Sequence, residues 1–195
     1  MKVLSVTLLI VLIDQVSKLF VRGISIPSIG IHWQGLSHGQ RNPVWGDVFN
    51  ITFVENPGIA FGINPGTDLK TVISILTLAA CIGLFVYLYV IRAHKFSSRL
   101  AIALILGGAI GNLIDRTFYG LLFNYTPLFH GSVVDFFDIR IFELFLFNNT
   151  IGTYIFNIAD AAVSLGVVIL LVSMRKPAEE KISVDESNIV TENQD

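Results

Sequence analysis

Cysteine is almost absent from this chain, and charge is scarce. The single thiol, Cys81, leaves no internal disulfide to form; it sits inside an apolar run and reads as a buried structural group with no chemistry. The four histidines, His32, His38, His94 and His130, make no HExxH or comparable ligand pair. With one cysteine beside them, neither a metal nor a metal cofactor is expected. Charged residues make up 14% of the chain against 53% hydrophobic, and the mean hydropathy is +0.68. That composition excludes a soluble surface and implies a membrane protein. No basic patch for nucleic acid is present. The small-residue stretch Gly107-Gly108-Ala109-x-Gly111 lacks the preceding strand of a nucleotide-binding unit. Gly107 and Gly111 instead form a G-xxx-G pair suited to close helix packing.

What the chain does contain is four apolar spans. Val3 to Val21 is apolar apart from Asp14, Gln15, Ser17 and Lys18. Lys2 followed by an apolar run has the look of a cleavable signal peptide. However, Asp14 and Lys18 fall where the cleavage region would lie, and no A-x-A-like site follows. The spacing predicts a retained transmembrane helix of about 20 residues, enough to cross roughly 30 Å of hydrocarbon. Asp14 and Lys18 are four apart, so they share a helix face and can pair there, turned toward protein or water.

The segment 23–68 changes to Gly, Pro, Asn and Ser, with Trp33 and Trp45 as interfacial anchors. Within it, residues 48–54 are β-prone and Asn56-Pro57-Gly58 signals a turn. Thr71 to Ile91 carries no charge, Leu100 to Ile114 gives a third helix, and Phe156 to Met174 a fourth. The expected architecture is mainly α: one membrane domain over 1–177 with four transmembrane helices at about 3–22, 70–91, 99–116 and 156–174. Loops 23–68 and 117–155 complete it, with a small external β-sheet and a short extended piece at Val133 to Phe137. Residues 178–195 hold six acids and one base and read as a disordered cytoplasmic tail. Lys2, the group Arg92, Lys95 and Arg99, and the group Arg175, Lys176 and Lys181 fall on one side of this topology. The positive-inside rule therefore places both termini in the cytoplasm and both long loops outside.

Three polar clusters punctuate the apolar spans. Asn112, Asp115 and Arg116, spaced i, i+3, i+4, line one face at the external end of helix three, and Asn157 and Asp160 open helix four. Asp115 and Arg116 are either part of a site or a local ion pair at the membrane boundary. Asp160 is either a site carboxylate or a charge favoured at a helix N-terminus. Asp135 is flanked by Val133-Val134 and Phe136-Phe137, a setting in which a permanent charge is costly. If Asp135 and Asp160 face one another, they share a proton as a coupled pair. One carboxylate then activates a water while the other polarises a peptide carbonyl, and no serine or cysteine nucleophile is needed.

Taken together, these clusters resemble bacterial lipoprotein signal peptidase, the signal peptidase II family. The resemblance covers about 1–176 and rests on five motifs in order. They are Asp14-Gln15-x-x-Lys18, Asn56-x-Gly58-x-Ala60-Phe61-Gly62, Gly107-Gly108-Ala109-x-Gly111-Asn112-x-x-Asp115-Arg116, Val134-Asp135-Phe136, and Phe156-Asn157-x-Ala159-Asp160. It implies a four-helix aspartic endopeptidase of the cytoplasmic membrane, without metal or cofactor, with an external β-cradle; a monomer is assumed. Its implied substrates are prolipoproteins whose lipobox cysteine carries diacylglycerol, cut before that cysteine while anchored among membrane lipid. The catalytic aspartates fall on Asp135 and Asp160. Asn56, Asn112, Arg116 and Asn157, with Gly58 in the same motif, correspond to substrate-holding positions, and Asp14, Lys18 and Asp115 to structural ones. The stretches 23–47 and 138–155 are longer than the family's compact form, the second placed to form a flap. A proton-coupled carrier is the main competing class, but the acids cluster at one face rather than crossing the bilayer, and no inverted repeat is visible. A membrane scaffold would have no use for two carboxylates in apolar surroundings.

Overall fold

The computed structural model describes residues 2–58, 66–146 and 149–174. The acidic tail, and Ala60, Phe61 and Gly62 of the second motif, lie outside them. Four apolar helices dominate: α1 (Leu4–Arg22), α2 (Gly66–Val90), α3 (Phe96–Ile114) and, after a short α4 (Gly120–Leu122), α5 (Ile158–Met174). The stretches Leu4–Arg22, Asp68–Ala93 and Phe96–Leu122 are each long and apolar enough to cross a membrane, and α5 is a shorter apolar helix of 17 residues. At 1.5 Å per residue, the 19 residues of α1 extend about 28 Å, close to the hydrocarbon thickness.

Helix α3 packs against α1, α2 and α5. It can do so because its buried positions are small: Ala101, Ala103, Gly107, Gly108 and Gly111 let neighbouring backbones approach. At Gly111 the approach is so close that a Cβ would lie 2.5 Å from Asp14 Oδ2, while one on Gly107 would press on Ile10. Larger side chains fill the space toward α2, where Leu88, Ile91, Ile102 and Leu106 form one core cluster. The opposite faces of the helices expose Leu8, Leu12 and Val16, Ile82 and Phe85, and Leu171 and Val172, the surface a lipid-facing bundle requires.

The sequence predicts an end to the third helix near residue 116, but the chain stays helical to Leu122 through a π-helical turn at Asp115–Tyr119. Asp115 and Arg116 read as a boundary because charges seldom continue a span. Here Asp115 is satisfied inside the protein, so the helix passes through it. The extramembrane part is also more strand-rich than expected. A hairpin pairs β1 (Gly23–Ile26) with β2 (Ile31–Gln34). Strands β3 (Arg41–Trp45), β4 (Phe49–Asn56), β5 (Val133–Leu146) and β6 (Asn149–Phe156) form an antiparallel sheet in that order. The stretch 138–155 is therefore largely two paired strands, closing at Leu146 opposite Asn149. A 14-residue strand is stable only beside its partners, and those partners are distant in sequence. A second core of Val21, Phe53, Tyr119, Val134 and Phe136 joins the sheet to the ends of α1 and α3.

Candidate active site

The polar clusters converge where α1, α3 and α5 meet β4 and β5. Asp135 lies on β5, and successive strand residues face opposite ways. Val134 and Phe136 enter the core, while Asp135 turns toward the start of α5. Only 3% of it is exposed. Its Oδ1 accepts from Asn157 Nδ2 at 2.7 Å and its Oδ2 from Asn56 Nδ2 at 3.1 Å. The Asn56 side chain is itself braced by Gly58, whose N–H donates to Asn56 Oδ1 at 3.0 Å. Gly58 adopts φ +118°, a conformation only glycine takes readily.

Asp160 sits in the first turn of α5. The helix opens with a reciprocal cap: Asp160 N–H donates to Asn157 Oδ1 at 2.9 Å, and Asn157 N–H donates to Asp160 Oδ2 at 3.3 Å. The helix-terminus reading of Asp160 thus describes one of its oxygens. The other, Oδ1, accepts from Asn112 Nδ2 on α3 at 2.8 Å. Asn157 is the hinge of the arrangement, fully buried, its backbone on Asp160 and its side chain on Asp135. Its two amide hydrogens are shared among Asp135 Oδ1, Val134 O and Asn112 Oδ1.

The two aspartates are electrostatically coupled. Burial pushes Asp135 up to about 7, and the charge of Asp160 adds to the rise; the hydrogen bonds from Asn56 and Asn157 and the charge of Lys18 oppose it. The carboxyl that the sequence places in an apolar setting therefore titrates near neutrality.

Beneath this pair lies a second, differently built cluster. Lys18 Nζ donates to Asp14 Oδ2 at 2.8 Å, Asp115 Oδ2 at 2.9 Å and Asn112 Oδ1 at 2.9 Å, using all three ammonium hydrogens. Lys18, Asp14 and Asp115 are wholly buried. Asp14 Oδ1 also accepts the free N–H of Ala159 in the first turn of α5, and Asp115 Oδ2 accepts Val134 N–H. The cluster thereby fixes both backbone segments that carry the site aspartates. Of the two readings left open for Asp115 and Arg116, the local ion pair does not form: Asp115 is taken by Lys18. The half-buried Arg116 accepts from Gly131 N–H at its carbonyl oxygen, but its guanidinium makes no hydrogen bond or ion pair among the described residues and lies in the field of Asp115, Asp160 and Asp135.

Two participants escaped the sequence reading. Gln15 bridges Asp14, Gly111 O and Asp115 through its amide nitrogen and accepts from Tyr119 Oη at 3.1 Å. Its place inside the first motif was the available signal. Asp138 on β5 is fully buried, accepting from Thr52 Oγ1 at 2.8 Å and pairing with Arg140 at 3.2 Å. Nothing in its local sequence separates it from a surface acid.

Residues 6–176 match the protein family described as Signal peptidase (SPase) II. The chain is 36% identical over 181 residues to the lipoprotein signal peptidase of Moorella thermoacetica, covering 93% of this chain and 97% of that one. It is 35% identical to that of Fusobacterium nucleatum, covering 85% and 81%. A bacterial membrane enzyme solved by the in meso method at 1.9 Å resolution superposes with a TM-score of 0.64 at 30% identity, over 90% of this chain and 93% of the other.

Proposed function

Because this chain belongs to the signal peptidase II family, we propose that it is a membrane aspartic endopeptidase acting on prolipoproteins whose lipobox cysteine carries diacylglycerol, cutting the peptide bond before that cysteine. The observation that carries the aspartic mechanism is the contrast in how its inward-facing acids are held. Asp135 and Asp160 receive hydrogen bonds from asparagine amides and backbone N–H, and among the described residues no cation pairs with either. Such a pair retains one proton near neutral pH.

The ionised carboxylate takes a proton from a water, and that water attacks the scissile carbonyl. The protonated partner donates to the carbonyl oxygen, and a proton passes to the amine as the C–N bond breaks. Neither a metal nor a covalent intermediate takes part. Arg116, whose guanidinium has no partner among the described residues, donates to a substrate carbonyl, and Asn56 with Gly58 holds the substrate backbone beside Asp135. The positive-inside pattern puts both termini in the cytoplasm and the site at the external face of the cytoplasmic membrane. A lipid-anchored substrate enters laterally there, as a monomeric enzyme would receive it.

The test is cleavage by purified protein in detergent, with the new N-terminus read by mass spectrometry. A diacylated prolipoprotein should be cut before its cysteine with or without EDTA, and the unlipidated precursor should be cut poorly. Cleavage elsewhere, or activity removed by EDTA and restored by metal, would overturn this reading.

A further inference from the structure

Outside the five motifs, one charged pair stands where three segments of the site frame meet. Arg22 ends α1 and forms an ion pair with Glu55 on β4. The guanidinium carbon lies 3.8 Å from the ring centre of Phe123, 5.3 Å from that of Tyr125 and 5.9 Å from that of Phe53. An arginine caged by aromatic faces and tied to a carboxylate has little freedom to move.

Each segment gripped in this way leads directly to the site. Glu55 precedes Asn56, the donor to Asp135 Oδ2. Tyr125 Oη accepts from Ser132 N–H at 2.9 Å, immediately before β5 begins. Glu55 is paired across the sheet with Val134, next to Asp135. At the same end of α1, one turn before Arg22, Lys18 holds Asp115 and Asn112.

Given the dyad proposed above, we infer that Arg22 and Glu55 are positioning residues: their caged ion pair sets the end of β4 so that Asn56 reaches Asp135. Neither touches the aspartates, so their effect passes through the Asn56 amide. Losing that hydrogen bond removes an interaction that favours ionised Asp135. The other charged groups facing Asp135, namely Asp160 on α5, Lys18 on α1 and Arg116 in the π-helical turn, stay in place.

The experiment measures cleavage of a diacylated prolipoprotein by full-length Arg22→Met, Arg22→Lys and Glu55→Gln across pH, alone and combined with Asn56→Ala. Arg22→Met and Glu55→Gln should each lower kcat by about tenfold or more with little change in KM, the scale on which small misplacements act. Arg22→Lys should recover most of the loss. The limb of the pH profile governed by Asp135 should move to higher pH, and Arg22→Met should add nothing to Asn56→Ala. Wild-type kcat, an unmoved pH limb, or losses that multiply with Asn56→Ala would overturn the inference. Glu55→Gln keeps the side-chain shape and carries the same readouts if Arg22→Met does not accumulate. Active Asp135→Asn or Asp160→Asn would instead overturn the dyad, whereas inactive aspartate variants beside a wild-type-like Arg22→Met would reject only the positioning role.

Discussion

The molecule turns two sets of carboxylates inward, linked through Asn112, and treats them in opposite ways. Asp14 and Asp115 share Lys18, with each ammonium hydrogen engaged, so their charges are compensated and the cluster locks three helices together. Among the described residues Asp135 and Asp160 are supplied with amide donors alone, so their charge is oriented without being neutralised. Burial alone therefore does not mark a working acid. A carboxylate with a bound cation is a structural tie, and one held by neutral donors beside another carboxylate can exchange protons.

Removing the cation should break this contrast most severely. Lys18→Met leaves Asp14 and Asp115 buried together without compensation, and is expected to destabilise the protein by about 3–5 kcal/mol, the usual result of breaking a buried ion pair. Thermal unfolding in detergent would show it as a large fall in Tm or as failure to accumulate.

The second difference is one of pH. Burial favours the protonated form of Asp135 in the folded protein, so between the ordinary carboxylate value of 3.8 and about 7 folding takes up a proton. Stability should therefore fall as pH rises through that window and level off above it. Asp135→Asn, which has no proton to exchange, should flatten the curve; an equal slope in both proteins would contradict the assignment.

A smaller effect is expected at the joint between the clusters. Asn157→Ala removes the cap of α5 and a donor to Asp135, and should cost about 1–2 kcal/mol. Because that donor favours the ionised acid, the pH profile of cleavage should also shift upward. An unshifted profile would mean that Asn157 serves the helix alone.

The same contrast governs what could be read before the fold was known. Asp14 and Lys18 pair at i, i+4 spacing, so that tie was legible, and so was the exposed apolar face of each span. Asp135 was legible from its four apolar neighbours and Asp160 from its position opening a helix. What joins them was not: Asn157 reaches across to β5, and Lys18 reaches Asp115 some hundred residues away, contacts that no local period encodes. The π-helical turn carries the same lesson, since Asp115 could be continued through only because a lysine from another helix waits there. The length of β5 depends on non-local pairing with β4 and β6, and the Arg22 cage on rings from two segments.

In the proposed mechanism Asp135 and Asp160 together perform the cleavage while the Lys18 cluster only supports them. The direct measurement is the rate of cutting a diacylated prolipoprotein before its cysteine by Asp135→Asn and Asp160→Asn, at folded concentrations matched by thermal unfolding. Each substitution should reduce the rate by about 10²–10⁴-fold, the range for losing a positioned acid or base, with Tm held near that of the wild type. Wild-type cleavage by either folded variant would contradict the account.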